Sequence, residues 1–130
     1  MLEKGLKLSL STTVTEDKTA RAMGSGTLDV FATPAMIALM EKTAYKAVQD
    51  ALDESCGSVG TYIGVKHIAA TPLGMTVTCE AELVEIDNRH LVFTVKAYDE
   101  AGLIGEGSHE RFIVQNEKFM ARTNAKASRG

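Results

Sequence analysis

Apolar and polar residues alternate along most of this chain, and one segment replaces that period with a helical one. Leu6, Leu8 and Leu10 alternate with Lys7, Ser9 and Ser11, which predicts an opening strand with one apolar face. Thr15 to Gly26 is polar, mixed in charge and closed by Gly24-Ser25-Gly26, so it reads as a mobile loop or lid. Leu28 and Val30 alternate in a short second strand that runs into Phe31. Thr33-Pro34 then marks a helix start, because a threonine hydroxyl can cap free N–H groups and proline suits the first helical position. Met36, Ile37, Met40, Ala44, Ala47, Val48 and Ala51 share one face of a helix from about Pro34 to about Asp53. Lys42, Lys46 and Gln49 lie opposite, Glu41 falls at the edge of the apolar stripe, and Gly57 reads as the terminator.

Beyond the helix the two-residue period returns. Thr61 to Ala69 places Ile63, Val65, His67 and Ala69 on one face, and Thr71-Pro72-Leu73-Gly74 turns the chain. Met75, Val77, Cys79, Ala81 and Leu83 alternate with polar residues, and the pattern then slips to Val84 and Ile86, which predicts a bulge. Asp87-Asn88 makes a hairpin turn into Leu91, Phe93, Val95 and Ala97. Asp99 to Gly102 turns again, Leu103 to Val114 is the last strand, and Asn116 to Lys126 is a short helix with a frayed tail, Ala127 to Gly130. One helix cannot cover both faces of so wide a sheet. The simplest arrangement is an α+β fold in which a curved antiparallel sheet wraps one long central helix, with a second copy covering what remains exposed.

A length of 130 residues makes residues 1–130 one domain. Aromatic residues are 5% of the chain, with no Trp, so the core is built from Leu, Val, Ile, Met and Ala. The net charge of −3 argues against a nucleic-acid partner, and no apolar run approaches the roughly 18 residues of a membrane span. Met1 to Gly5 shows no apolar signal region, and Cys56 and Cys79 lack metal-ligand spacing, which fits a cytoplasmic protein with reduced thiols. No glycine-rich nucleotide motif or zinc motif occurs.

The stretch Leu28-Asp29-Val30-Phe31-Ala32-Thr33-Pro34-Ala35-Met36 resembles the strand-to-helix entry of hotdog thioesterases related to fluoroacetyl-CoA thioesterase. Val59 to His67, Ala70-Thr71-Pro72-Leu73-Gly74 and Gly107-Ser108-His109-Glu110-Arg111-Phe112 extend the resemblance over roughly Thr13 to Phe119. It implies the hotdog fold, an acyl-CoA substrate, a homodimer, no metal and no organic cofactor. By that resemblance Thr33, Glu41 and His67 form the catalytic set, and the backbone N–H at Gly60 polarises the thioester carbonyl. The fluoroacetyl-specialised branch lines a lid with aromatic side chains. Here Thr19 to Thr27 contains no Phe, Tyr or Trp, so the resemblance supports the scaffold and the chemistry rather than selectivity for fluorine.

Each residue also has a plainer reading. Thr33 serves as a helix cap, at a terminus where the N–H groups also favour negative charge. Glu41 stands two turns further on, about 12 Å along the axis, too far for direct contact with Thr33 in one chain. It is a base, or else a surface partner of Lys42 or Lys66. His67 on an apolar strand face is a core histidine or, beside Thr33 and Glu41, a catalytic one. His90 reads as solvent-exposed and His109 as structural. Arg111, Lys66 and Arg21 are candidates for the CoA phosphates. The expected activity is hydrolysis of small or short-chain acyl-CoA thioesters, His67 with Glu41 activating either water or Thr33. The alternatives are a non-catalytic protein that binds acyl-CoA or another small ligand, and a hydratase, for which no water-activating Asp/His pair is evident.

Overall fold

The structure is a computed structural model that describes residues 1–127; the end of the expected frayed tail, residues 128–130, lies outside the described residues. The elements run β1 (Lys7–Thr13), α1 (Ala20–Met23), α2 (Thr33–Gln49), β2 (Cys56–His67), β3 (Thr76–Asp87), β4 (His90–Asp99), β5 (Gly102–Gln115) and α3 (Asn116–Asn124). The strands form one antiparallel sheet in the order β1-β3-β4-β5-β2. Tight turns make the central meander. Asn88 takes the left-handed conformation at φ 57° between β3 and β4. Between β4 and β5, Asp99 Oδ1 accepts the N–H groups of Ala101 and Gly102 at 2.8 and 3.1 Å. The two segments flanking α2, β1 and β2, are left for the two edges.

Helix α2 buries Met36, Leu39, Met40, Thr43, Ala44 and Val48 against the sheet. They meet the inward-facing alternate residues Val77, Cys79, Ala81 and Leu83 of β3 and Leu91, Phe93, Val95 and Ala97 of β4. The Thr43 hydroxyl is accommodated in this apolar layer by donating to the Leu39 carbonyl at 2.7 Å. The pattern slip after Leu83 is a true irregularity: the β3–β4 register shifts between Leu83 and Glu85. A second shift, between Gly60 and Tyr62 in the β2–β5 pair, has no signal in the apolar pattern.

Several boundaries differ from expectation. Leu28 to Phe31 joins no strand; Val30 and Phe31 make isolated bridges to Pro72 and Thr19. Their backbone groups are taken by the segments on either side, Ala20 N–H donating to the Val30 carbonyl and Phe31 N–H to the Thr71 carbonyl. The loop after β1 is structured. It holds a 3-10 turn, Glu16–Lys18, and the short α1, where Thr19 Oγ1 accepts from Ala22 N–H and Gly24 closes the turn at φ 74°. Helix α2 ends at Gln49 rather than near Asp53, and β2 begins at Cys56, before the expected Thr61. The segment Cys56-Gly57-Ser58-Val59-Gly60 has little β propensity of its own and is a strand because Arg111 to Gln115 pairs with it.

The β2–β5 contact relies on a close backbone approach. A Cβ on Gly107 would overlap the Gly64 carbonyl oxygen and stand 2.6 Å from Val65 Cα. Gly107→Ala is therefore expected to lower stability by about 1–3 kcal/mol. A chemical denaturation midpoint equal to that of the wild type would contradict this.

Candidate active site

The first residue of α2 is Thr33, and its N-cap is Ala32, which has no side chain to cap with. This corrects the expectation that Thr33 caps the helix. The chain enters one residue earlier, Pro34 stands within the first turn, and the Thr33 hydroxyl is left free of the helix backbone. It points instead to the end of β2, where Thr33 Oγ1 and His67 Nδ1 lie 2.7 Å apart. The edge of the Phe31 ring is set against the imidazole, with centroids 6.5 Å apart and planes at 82°. Thr33, Phe31 and His67 line an open pocket of about 270 Å3, together with Ala20 and Ser25 of the lid.

Burial pushes the His67 pKa below the ordinary histidine value, and the Ala69 backbone draws it partly back. The ring is therefore neutral at pH 7 and able to take a proton. For Thr33 to donate to Nδ1, the ring's own proton must sit on Nε2. That atom is buried and has no hydrogen-bond partner among the described residues.

Glu41 does not join this pair within the chain. It faces Gly60, half a strand away from His67. A Cβ on Gly60 would stand 2.9 Å from Glu41 Oε2, 3.3 Å from His109 Cε1 and 3.4 Å from Arg111 Nη1. Only glycine lets the carboxylate approach the strand so closely. Glu41 makes no ion pair among the described residues, so the pairing with Lys42 or Lys66 is not formed.

Beneath Gly60 lies a buried polar network. His109, 1% exposed, donates from Nδ1 to the Tyr62 carbonyl at 2.7 Å and accepts at Nε2 from Arg111 Nη1 at 3.1 Å. An arginine can only donate, so the tautomer of the neutral ring is fixed. Arg111, 7% exposed, also donates from Nε to Ser58 Oγ at 2.7 Å and from Nη2 to the Ser58 carbonyl at 2.8 Å, with its guanidinium 5.9 Å from the centre of the Tyr45 ring. This corrects Arg111 as a candidate for the CoA phosphates: its guanidinium is buried and bonded to Ser58 of β2 and His109 of β5. The network grips residues 58 and 62, on both sides of the register shift. His109 is structural, as expected. His90 is not free in solvent, since its Nε2 lies 2.7 Å from Glu110 Oε1. Arg21 is paired with Asp29 at 3.2 Å.

An antiparallel sheet curled on one helix, with its polar residues gathered at the helix entry and along the free edge strand, is the hotdog fold. A hot-dog-like protein from Thermanaerovibrio acidaminovorans superposes with a TM-score of 0.87 at 22% identity, over 96% of this chain and 93% of that one. The chain belongs to the fluoroacetyl-CoA-specific thioesterase family, whose model matches residues 14–117. A fluoroacetyl-CoA thioesterase from Streptantibioticus cattleyicolor is 44% identical over 102 residues, 78% of this chain and 73% of that protein. A solved fluoroacetyl-CoA thioesterase superposes with a TM-score of 0.91 at 37% identity, over 97% of this chain and 98% of that one. A threonine-to-serine variant solved in complex with acetyl-CoA gives 0.91 and 37%, over 96% and 98%. No helix among the described residues is long and apolar enough to cross a membrane.

Burial, with the Arg111 charge adding to it, also pushes the His109 pKa down, against the Tyr62 carbonyl, Glu41 and Glu110. Both histidines therefore bind protons more weakly folded than unfolded. Their contribution to stability is full above the unfolded value of about 6.5 and is lost as pH falls through the lower folded values. The melting temperature is expected to drop as pH falls below about 6.5, and His109→Gln to flatten that slope. An equal acid loss in variant and wild type would exclude His109 as a source.

Proposed function

We propose that the chain, an acyl-CoA thioesterase by its family, works as a homodimer, with Thr33, Glu41 and His67 as the catalytic set that hydrolyses small or short-chain acyl-CoA to free acid and CoA. The observation that carries this reading is the 2.7 Å contact of a hydroxyl with a neutral imidazole at the mouth of a pocket. His67 takes the proton from the nucleophile, either the Thr33 hydroxyl or a water held beside it. The carbonyl oxygen gathers negative charge as it is attacked, the Gly60 N–H stabilises that charge, and the CoA thiolate leaves. Arg111 belongs to substrate binding here indirectly, by fixing Ser58, two residues before Gly60.

Glu41 and Gly60 form one half of the site and Thr33 and His67 the other. Gly60 and His67 lie seven residues apart on β2, roughly 23 Å along the strand. Strand β2 is an edge of the sheet, and a long unpaired edge invites a second copy. Two β2 edges paired antiparallel about Gly64, with the register shift at Gly60–Tyr62 taking up one residue, would set His67 of one copy beside Gly60 of the other. The partner's Glu41 would then face the Thr33–His67 pair. All of residues 1–130 serve as one such domain, and the free thiols of Cys56 and Cys79 suit a reducing cytoplasm. Neither nucleic acid nor membrane enters this reading.

The purified protein should release thiol from short acyl-CoA substrates, with kcat/KM rising through a midpoint below about pH 6.5. Thr33→Ala, Glu41→Ala and His67→Ala should each lower kcat/KM by about 10²–10⁴-fold. Unchanged rates in all three would overturn the assignment, and CoA binding without thiol release would make the protein a carrier. The pocket has one phenyl ring, Phe31, and the lid has none. The ratio of kcat/KM for fluoroacetyl-CoA over acetyl-CoA should therefore stay below about 10, the low end of what one small group contributes in an apolar pocket. A large preference for the fluorinated substrate would contradict this.

A further inference from the structure

A CoA thioester carries most of its charge at the nucleotide end, far from the carbonyl, and this chain is acidic overall, at −3. Binding that end requires a local reversal of sign. One cavity provides it: a pocket of about 280 Å3 lined by Arg89, Lys118 and Arg122, with Phe112, Phe119 and Gln115. No carboxylate lines it, and none of the three cations is ion-paired among the described residues. Glu110, the acidic residue of β5 nearest in sequence, is held by His90.

The pocket has a built frame. Arg89 sits in the β3–β4 turn, where its carbonyl accepts the Ile113 N–H at 2.8 Å. Phe112 is 40% exposed, an outward-facing ring on β5. Lys118 and Arg122 stand four residues apart on α3 and so share a face. At 280 Å3 the pocket is smaller than the roughly 300–1,000 Å3 that encloses a drug-sized ligand, so it suits one end of a long molecule. It lies at the same end of β5 as the Gly60–Arg111 pair, with Phe112 on the outer face of the sheet and Arg111 on the inner one. Phe112 follows Arg111 directly and pairs with Val59, next to the Gly60–Arg111 pair. The other groove with several cations, at Lys18, Lys42 and Lys46, contains Asp17, has no aromatic ring, and lies against β1 at the opposite sheet edge.

We propose that the Arg89–Lys118–Arg122 pocket binds the 3′-phosphoadenosine end of CoA, its guanidinium groups on phosphate oxygens and its phenyl rings against the base. Guanidinium groups pair phosphates in a forked geometry, and aromatic faces accept any base. This rests on the thioesterase reading for its ligand. Lys118, Phe119 and Arg122 lie beyond residue 117, where the family match ends.

Two measurements on the full chain test it. In calorimetry, adenosine 3′,5′-bisphosphate should bind the wild type, and the Arg89→Ala/Arg122→Ala double variant should bind it about tenfold or more weakly. In kinetics, the double variant should show a KM for acetyl-CoA raised about tenfold with kcat kept, and wild-type constants for acetyl-pantetheine thioester, which lacks the nucleotide. Equal bisphosphate affinity in the two proteins would overturn the proposal. So would a KM that rises equally for both substrates, since that marks general damage. A wild type that hydrolyses neither thioester would refute the thioesterase reading alone, and the bisphosphate titration would still decide the pocket.

Discussion

The pairing of β2 with β5 is the constraint on which the candidate site depends. One strand carries both halves: its end presents His67 to Thr33, and its middle presents Gly60 to Glu41. Neither half has local reasons to be in place. The start of β2 is poor in strand-forming residues, and β5 opposes its far end with Gly105 and Gly107, which let the backbones close in. Shifting the pair by one residue would turn His67 away from the helix entry and put a Cβ where Glu41 now lies.

The register shift between Gly60 and Tyr62 is held by side chains rather than by strand pairing. Leaving a buried histidine or arginine unsatisfied costs several times what its hydrogen bonds contribute on balance. His109 and Arg111 avoid that cost only in one arrangement, in which each engages the other and both engage β2. A network of this kind adds little net stability, but it allows few alternatives. The irregularity beside Gly60 is thereby made rigid, in contrast to the lid, which is held mainly by backbone contacts and the Thr19 cap.

Much of this was legible in the sequence where a period carried it. The central helix, the meander from Thr76 to Gln115 and the slip after Leu83 follow from the spacing of apolar residues, because each element buries one face against the same core. The site was less legible. Thr33, Glu41 and His67 were singled out by resemblance, and periodicity alone left each with an ordinary structural role. Arg111 reads as a candidate for the CoA phosphates because charge predicts exposure; its burial depends on Ser58 and His109, which meet it only through strand pairing. The second register shift left no trace, since Gly60 and Thr61 have no apolar alternation to interrupt. Leu28 to Phe31 misled for the opposite reason: its alternation is real, but its backbone partners lie in a lid and a loop, not in a strand.

The missing cap at the start of α2 has a further consequence. A serine at position 32 would bring a hydroxyl within reach of one of the free N–H groups, a bond that contributes about 1 kcal/mol at an ordinary helix start. With Ala32 there, those N–H groups stay unclaimed beside the Thr33 hydroxyl. The helix entry is thus a point where selection for stability and selection for chemistry pull in opposite directions. A survey that ranked substitutions by stability alone would be drawn to this position, and would improve the protein by filling the space its reaction uses.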